Sequence, residues 1–236
     1  MKTVALALAV SVAGVAAGSA VGGTSPMTKV ISNETTLTRW AYPNEAGIVY
    51  ASPDPAAHRM ARLHPYTEDG RPEIYLALRL RTDAGGESWV QVRLPMRPNG
   101  LLGWVRRDEL GPLHTVVTQL RVNRGTLRAT LYRRGRAIWS SRIGVGKRGT
   151  STPAGRFYVR EKLTKYASPF YGPIAFGTSA YSHLSEWPRG GVVGIHGTSE
   201  PELIPGRVSH GCIRVPNGAI RRLARLMPLG TPVLIR

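Results

Sequence analysis

Apolar and polar residues alternate in short runs through the first half of the chain, and turn-forming Pro, Gly and Asp residues separate these runs. The runs lie at residues 48–51, 74–80 and 89–94. In the third run, a period of two places Val90, Val92 and Leu94 on one face of a strand. This alternation is typical of antiparallel strands with one buried face, so the pattern predicts a small β-barrel.

The second half of the chain continues the alternation and then changes its period. Three more runs lie at residues 114–122, 125–132 and 136–144. Gly-containing turns separate them, which predicts a meander of hairpins. Near the C-terminus, Asn217 can cap a helix whose apolar residues repeat at i, i+3, i+4 and i+7. These residues are Ile220, Leu223, Ala224 and Met227. The predicted fold class is therefore mainly β with one clear helix, and residues 232–235 are predicted as a last strand.

Residues 89–110, WVQVRLPMRPNGLLGWVRRDEL, resemble a bacterial SH3-like domain. In this resemblance, Pro98-Asn99-Gly100 forms a turn and Gly103-Trp104-Val105 starts the next strand. Another small β-domain would show similar alternation, but the spacing of turn and strand favours the SH3-like interpretation.

The N-terminus has the features of a secretory signal. Lys2 precedes an apolar stretch at residues 4–17, and small residues follow up to Ala20. The stretch is shorter than a membrane-spanning helix, and no second apolar run of that length follows. We expect cleavage after Ala20, with an uncleaved anchor as the alternative. The small and polar residues 21–39 are predicted to be an extended linker.

The chain is strongly basic, with 32 Lys and Arg against 14 Asp and Glu, a formal net charge of +18. Such a field attracts polyanions. The Arg residues are scattered and no nucleic-acid-binding motif accompanies them, so a nucleic-acid partner is not expected. An anionic cell envelope fits the charge, and a compositional bias toward Arg without any partner explains it equally well.

A single cysteine, Cys212, stands in a chain that is predicted to be exported. Structural cysteines outside the cytosol come in pairs, so Cys212 is an inert buried thiol, an intermolecular link or a reactive group. His196 precedes it by sixteen positions, and Ser209-His210-Gly211 lies directly before it. An attacking thiol needs a neighbouring base, and His196 is our candidate.

This spacing of a histidine and a Ser-His-Gly-Cys motif resembles the signature of the L,D-transpeptidases of the YkuD family. Two upstream stretches resemble it as well, Gly144-Val145-Gly146 and the TPAGRF sequence of residues 152–157. The resemblance covers the chain from about residue 115 to the C-terminus. It implies a β-rich catalytic domain that cleaves one peptide bond in peptidoglycan and forms another.

The resemblance also implies roles for individual residues. Cys212 is the expected nucleophile and His196 the expected base, with its ring oriented by the carbonyl of Gly197. His210 is given a supporting role, and Ser209 either holds the loop or takes part in catalysis. Backbone N–H groups around Gly211 and Cys212 are expected to bind the oxyanion.

Other residues of this region leave alternatives open. Arg214 either binds a substrate carboxylate or has a structural role. Aromatic residues before His196 either contact the substrate or pack a loop onto the domain. They are Tyr166, Phe170, Tyr171 and Tyr181. Zinc bound by Cys212, His196 and His210 would lack a fourth ligand, so we expect no metal and no cofactor.

Together these features predict four segments. They are a signal peptide at 1–20, a linker at 21–39, an SH3-like domain at 40–112 and an L,D-transpeptidase catalytic domain at 113–236. The predicted protein is exported to the cell wall or periplasmic space and acts on peptidoglycan peptide stems. The alternatives are an L,D-carboxypeptidase, an enzyme that anchors proteins to peptidoglycan, and a non-catalytic wall-binding protein.

Overall fold

The computed structural model describes residues 27–83, 85–164, 169–186 and 188–236. The predicted signal peptide at 1–20 lies outside these residues. Two β-sheets, one α-helix and short 3-10 turns make up the described part, so the prediction of a mainly β fold with one helix is confirmed.

The first sheet contains eight strands in the order β4-β3-β7-β6-β5-β2-β8, and β1 pairs separately with β5. Its strands are β1 (Met27–Val30), β2 (Thr38–Ala41), β3 (Ile48–Tyr50), β4 (Arg59–Arg62), β5 (Tyr75–Thr82), β6 (Ser88–Arg93), β7 (Leu102–Arg106) and β8 (His114–Val116). The three residues predicted to share one face, Val90, Val92 and Leu94, are all buried in the core of this sheet. Its identity as an SH3-like domain and the domain boundary at residue 112 stay predictions.

The second sheet contains ten strands in the order β11-β10-β9-β18-β13-β14-β15-β17-β12-β16. Its strands are β9 (Thr118–Asn123), β10 (Arg128–Arg133), β11 (Arg136–Arg142), β12 (Gly144–Gly146), β13 (Gly155–Leu163), β14 (Ala175–Tyr181), β15 (Val192–His196), β16 (Gly206–Ser209), β17 (Ile213–Arg214) and β18 (Pro232–Ile235). Helix α1 (Asn217–Leu226) packs on it through Ile220 and Leu223, which are fully buried, as the period of 3.6 predicts.

Two predictions about local structure are wrong. The run 114–122 is not one strand, because β8 pairs with β2 in the first sheet whereas β9 pairs with β10 and β18 in the second. Alternation shows which face a residue takes but not which sheet it belongs to. Asn217 does not cap α1, because its side chain bonds both the N–H and the C=O of Thr198, at 2.9 Å each.

The predicted linker 21–39 is wrong from Met27 onward. Met27–Val30 forms β1, which pairs with Thr82 to Arg79 of β5. All four side chains of β1 are exposed, so the strand is held by its backbone ladder rather than by burial. For that reason the amino-acid pattern carried no signal for it. Ile31 and Ser32 then turn inward and are buried.

Side chains from both sheets meet in a buried junction. The Tyr158 hydroxyl on β13 donates to the carbonyl oxygen of Ile74 at 2.8 Å, and the whole Tyr158 side chain is buried. Gly230 has a φ of +75° and lies under Trp40, so a Cβ there would come within 2.1 Å of the indole. None of the helices among the described residues combines the length and apolar character that a membrane crossing needs.

Candidate active site

Cys212 lies in a tight loop between β16 and β17, and the buried hydroxyl of Ser209 closes this loop. The Ser209 Oγ accepts the N–H of Gly211 at 3.1 Å and donates to the carbonyl oxygen of Cys212 at 2.6 Å. Ser209 is only 2% exposed, so water does not compete for these bonds. Gly211 has a φ of +124°, a backbone conformation that glycine adopts at no steric cost.

Thr152 holds the same loop from the other side. Its hydroxyl donates to the carbonyl oxygen of Gly211 at 2.8 Å and accepts the N–H of Gly146 at 2.9 Å. Thr152 is completely buried. The sequence motif that contains Thr152 therefore ties β12 to the residue before the cysteine.

Replacing Thr152 by valine should lower the free energy of unfolding by about 1–3 kcal/mol, because it leaves two buried backbone groups without their partner. Urea denaturation of the full chain measures this loss. The matched control is Thr126→Val at an exposed position, where we expect a change within about 0.5 kcal/mol. Equal unfolding midpoints for the two variants would show that Thr152 does not hold the loop.

His196 is the last residue of β15, and its ring is buried, with 2% of the residue exposed. The ring Nδ1 lies 2.6 Å from the carbonyl oxygen of Gly197. A carbonyl oxygen only accepts, so Nδ1 carries the proton in this bond. In a neutral ring, Nε2 is then an acceptor.

Burial lowers the pKa of His196 to about 4, and the positive charge of Arg214 acts in the same direction. The hydrogen bond to Gly197 partly opposes this shift. The ring is therefore neutral at physiological pH, and its Nε2 is able to accept a proton.

Gly194 brings the cysteine and the histidine to one place. The N–H of Gly194 donates to the sulfur of Cys212 at 3.4 Å. A Cβ built on Gly194 would lie 3.7 Å from this sulfur and 3.6 Å from Cδ2 of His196, the ring carbon bonded to Nε2. The parallel pairing of Ile195 with Ile213 places residue 194 beside residue 212. The structure thus brings together the two residues that the sequence predicted as a pair.

Sequence reasoning missed Gly194. The available signal was its position two residues before His196, because residues i and i+2 of a strand share a face. A larger side chain there would fill the space between the thiol and the imidazole.

Two aromatic residues lie beside the ring of His196. The ring centre of Tyr171 lies 4.9 Å from that of His196 in an edge-on arrangement, and the ring of Phe170 lies at 6.2 Å. Phe170 is 38% exposed, so this part of the site faces solvent. Tyr181 lies elsewhere, beside Arg160, and Tyr166 is outside the described residues.

Arg214 is buried on β17 beside His196. It forms an ion pair with Glu200 at 2.5 Å, and its guanidinium carbon lies 4.6 Å from the ring centre of Phe170. Glu200 was not singled out from the sequence. The substrate-binding role of Arg214 stays a prediction, and its guanidinium contacts both Glu200 and Phe170.

The remaining motif residues take different positions. His210 is exposed at the surface, whereas Gly197 and Gly211 are buried. The N–H of Gly211 is already donated to Ser209, so in this conformation it is not the oxyanion donor that we expected. Among the described residues, no group of three or more His, Cys, Asp and Glu side chains lies close enough to hold a metal ion.

Comparison with known proteins identifies the family of the second half of the chain. The YkuD family model, described as an L,D-transpeptidase catalytic domain, matches residues 118–235. A protein of Bacillus subtilis strain 168 that bears the name L,D-transpeptidase YkuD is 34% identical over 122 residues, which are 52% of this chain and 68% of that protein. A Bacillus licheniformis protein of the same name is 37% identical over 131 residues, 56% of this chain and 70% of that one.

Solved structures also match. The NMR structure of the catalytic domain of the E. faecium L,D-transpeptidase is 27% identical, and the match covers 50% of this chain and 96% of that domain with a TM-score of 0.40. The chain spans about half the length of several other solved proteins that it matches, among them an Enterococcus faecium L,D-transpeptidase at 49%. The family match from β9 to β18, together with the two Bacillus relatives, shows that this chain belongs to the YkuD family of L,D-transpeptidase catalytic domains.

Proposed function

We propose that this protein is an exported peptidoglycan L,D-transpeptidase with Cys212 as its nucleophile. The observation that carries the proposal is the convergence of the Cys212 sulfur and the Nε2 side of the His196 ring at Gly194. The names of the two Bacillus relatives support the same activity. The proposed donor is a tetrapeptide stem, cleaved between its diamino acid and the following D-Ala.

In the first half-reaction, the sulfur of Cys212 attacks the carbonyl carbon of the diamino acid while its proton passes to Nε2 of His196. The tetrahedral intermediate then collapses, His196 gives the proton to the leaving amine, and D-Ala departs. The diamino acid remains bound to Cys212 as a thioester. This is nucleophilic catalysis assisted by a general base that returns its proton as an acid.

In the second half-reaction, an amine of another stem attacks the thioester. His196 takes a proton from this amine, the C–S bond breaks, and the sulfur leaves as a thiolate that recovers the proton from His196. A new amide bond joins the two stems. Water as acceptor would make the same site a carboxypeptidase, and a protein lysine would make it an anchoring enzyme.

The low pKa of His196, about 4, bears on the timing of the proton transfer. An ordinary thiol has a pKa of about 8.5 and therefore binds its proton more tightly than this imidazole does. In the resting enzyme the proton stays on the thiol rather than on His196. The proton therefore moves as the sulfur attacks. Gly194 donates its N–H to the sulfur and stabilises the negative charge that develops there.

Further parts of the proposal rest on the sequence. The N-terminal segment 1–20 directs export to the cell wall or periplasmic space, and the SH3-like half contacts the wall. His210 supports the loop that presents the cysteine.

The test is to incubate the purified protein with tetrapeptide muropeptides and to follow the products by mass spectrometry. We expect release of D-Ala together with cross-linked dimers, and neither product from protein whose cysteine has been blocked with iodoacetamide. D-Ala without dimers would identify water as the acceptor. Intact tetrapeptides together with retention of the protein on purified cell wall would instead favour the non-catalytic wall-binding protein.

A further inference from the structure

The loop at residues 95–100, between β6 and β7 of the first sheet, contacts the end of β14 in the second sheet. Asn99 makes two bonds to the backbone of Tyr181, accepting its N–H at 2.9 Å and donating to its carbonyl oxygen at 2.8 Å. A neighbouring strand would supply the same pair of bonds to this residue. Asn99 therefore fixes the backbone at the point where β14 ends.

Arg97 contacts Ser182, the first residue after β14. Its Nη2 donates to the carbonyl oxygen of Ser182 at 2.8 Å, and its guanidinium carbon lies 4.7 Å from the ring centre of Tyr181. The N–H of Ser182 donates to the carbonyl oxygen of Gly191 at 2.9 Å, and a Cβ on Gly191 would come within 2.9 Å of the same guanidinium. Arg97 thus contacts both ends of the connection 182–191, which leads from β14 into β15.

Ser182 links this contact to the nucleophile. A Cβ built on Gly211 would lie 3.0 Å from Cβ of Ser182, so the Ser182 side chain packs directly behind the residue that precedes Cys212. β15, at the other end of the connection, carries Gly194 and His196. Contacts from the first sheet therefore reach both sides of the site, the loop of the thiol and the strand of the base.

We propose that Arg97 and Asn99 are positioning residues for the reaction. They hold Ser182 behind Gly211 and keep the thiol of Cys212 aligned with His196. No atom of Arg97 or Asn99 needs to touch the substrate for this role. The turnover part of the inference rests on the proposed function, whereas the thiol reactivity of Cys212 reports the same alignment without any substrate.

The size of the expected effect follows from the geometry. The bonds to Tyr181 and Ser182 are ordinary hydrogen bonds, and Arg97 and Asn99 are exposed. Replacing these two side chains should therefore leave the free energy of unfolding nearly unchanged. Alignment is more sensitive, because a displacement of about 1 Å at a reacting atom costs up to about 100-fold in rate.

The experiment compares four full-length proteins: wild type, the double variant Arg97→Ala/Asn99→Ala, Arg97→Lys/Asn99→Ala and the exposed control Arg59→Ala. We expect the double alanine variant to lose about tenfold in kcat with KM changed less than about twofold. Its Cys212 should also react more slowly with iodoacetamide at pH 8. Arg97→Lys keeps a donor for Ser182 and should recover part of both losses, and Arg59→Ala should behave as wild type.

Several results would overturn the inference. One is an unchanged kcat and alkylation rate in the double alanine variant. A second is a double alanine variant in which only the melting temperature falls. A third is a loss of kcat and alkylation rate that is equally large in Arg97→Lys/Asn99→Ala. If the wild type forms no transpeptidation product, the proposed function fails, but the alkylation rates still decide this inference: slower reaction in the double variant supports it, and equal rates refute it.

Discussion

Replacing Cys212 by alanine should lower D-Ala release on the order of 10⁶-fold, because no covalent intermediate is formed without the sulfur. Replacing His196 by asparagine should lower it by about 10²- to 10⁴-fold, the usual contribution of a general base. Asparagine suits this test because its amide N–H is still able to donate to the carbonyl of Gly197. The substitution removes the hydrogen-bond acceptor that Nε2 of His196 provides.

A double variant of Cys212 and His196 shows whether the two residues act together or independently. If His196 acts only through the sulfur, Cys212→Ala/His196→Asn should be no slower than Cys212→Ala alone, since residues that act as a unit are not additive. Initial rates of D-Ala release measure this comparison. A double variant that loses the product of the two single effects would mean that His196 acts on the substrate independently of the cysteine.

The pH dependence gives a second readout of the same pair. Because the pKa of His196 is about 4, the base form persists down to that pH, and kcat/KM should not show a loss of activity near pH 6.5. The matched control is His58→Asn, an exposed histidine directly before β4, which should keep the wild-type rate. An acid limb near pH 6.5 that persists in a His210→Asn variant would contradict the neutral, buried state of His196.

Much of this site was predictable from local sequence. The period of two marked the buried face of β6, and the period of 3.6 marked the buried face of α1. The motif around Cys212 predicted that residues sixteen positions apart would meet. These predictions succeed because each depends on residues within one element or one motif.

The contacts that cross between elements were not predictable in this way. Strand β1 was not predicted because all of its side chains are exposed. The change of sheet between β8 and β9 was not predicted because the alternation continues across it. Asn217 has the right chemistry for a cap but bonds Thr198 instead. From its charge alone, an arginine such as Arg160 is expected to face solvent. Only its partner, 87 positions away, makes its burial possible.

Arg160 and Glu73 form a buried ion pair between the two sheets. Nε of Arg160 lies 3.0 Å and 2.9 Å from the two carboxylate oxygens of Glu73, and its Nη2 contacts the same carboxylate. The side chains are 4% and 1% exposed. Burial disfavours the charge on the guanidinium, but Glu73 outweighs this effect and raises the pKa of Arg160. Glu68 and the Tyr181 hydroxyl also contact Arg160.

Replacing Glu73 by glutamine should lower the free energy of unfolding by about 3–5 kcal/mol, because Arg160 then keeps a buried charge with only the partly exposed Glu68 as an ionic partner. Urea denaturation measures the loss. The matched control is Glu87→Gln, which breaks the exposed pair with Arg106 and should cost less than about 1 kcal/mol.

Replacing both partners tests whether the pair itself or the unpaired charge sets this cost. Glu73→Leu combined with Arg160→Met fills a similar volume without charge, and such replacements are neutral or stabilising in other proteins. We therefore expect the double variant to recover most of the stability that Glu73→Gln loses. If it unfolds as early as Glu73→Gln, the ion pair stabilises the junction beyond what apolar packing supplies. In that case the two sheets are held together by a buried ion pair, and because salt screens buried pairs only weakly, their separation should depend little on ionic strength.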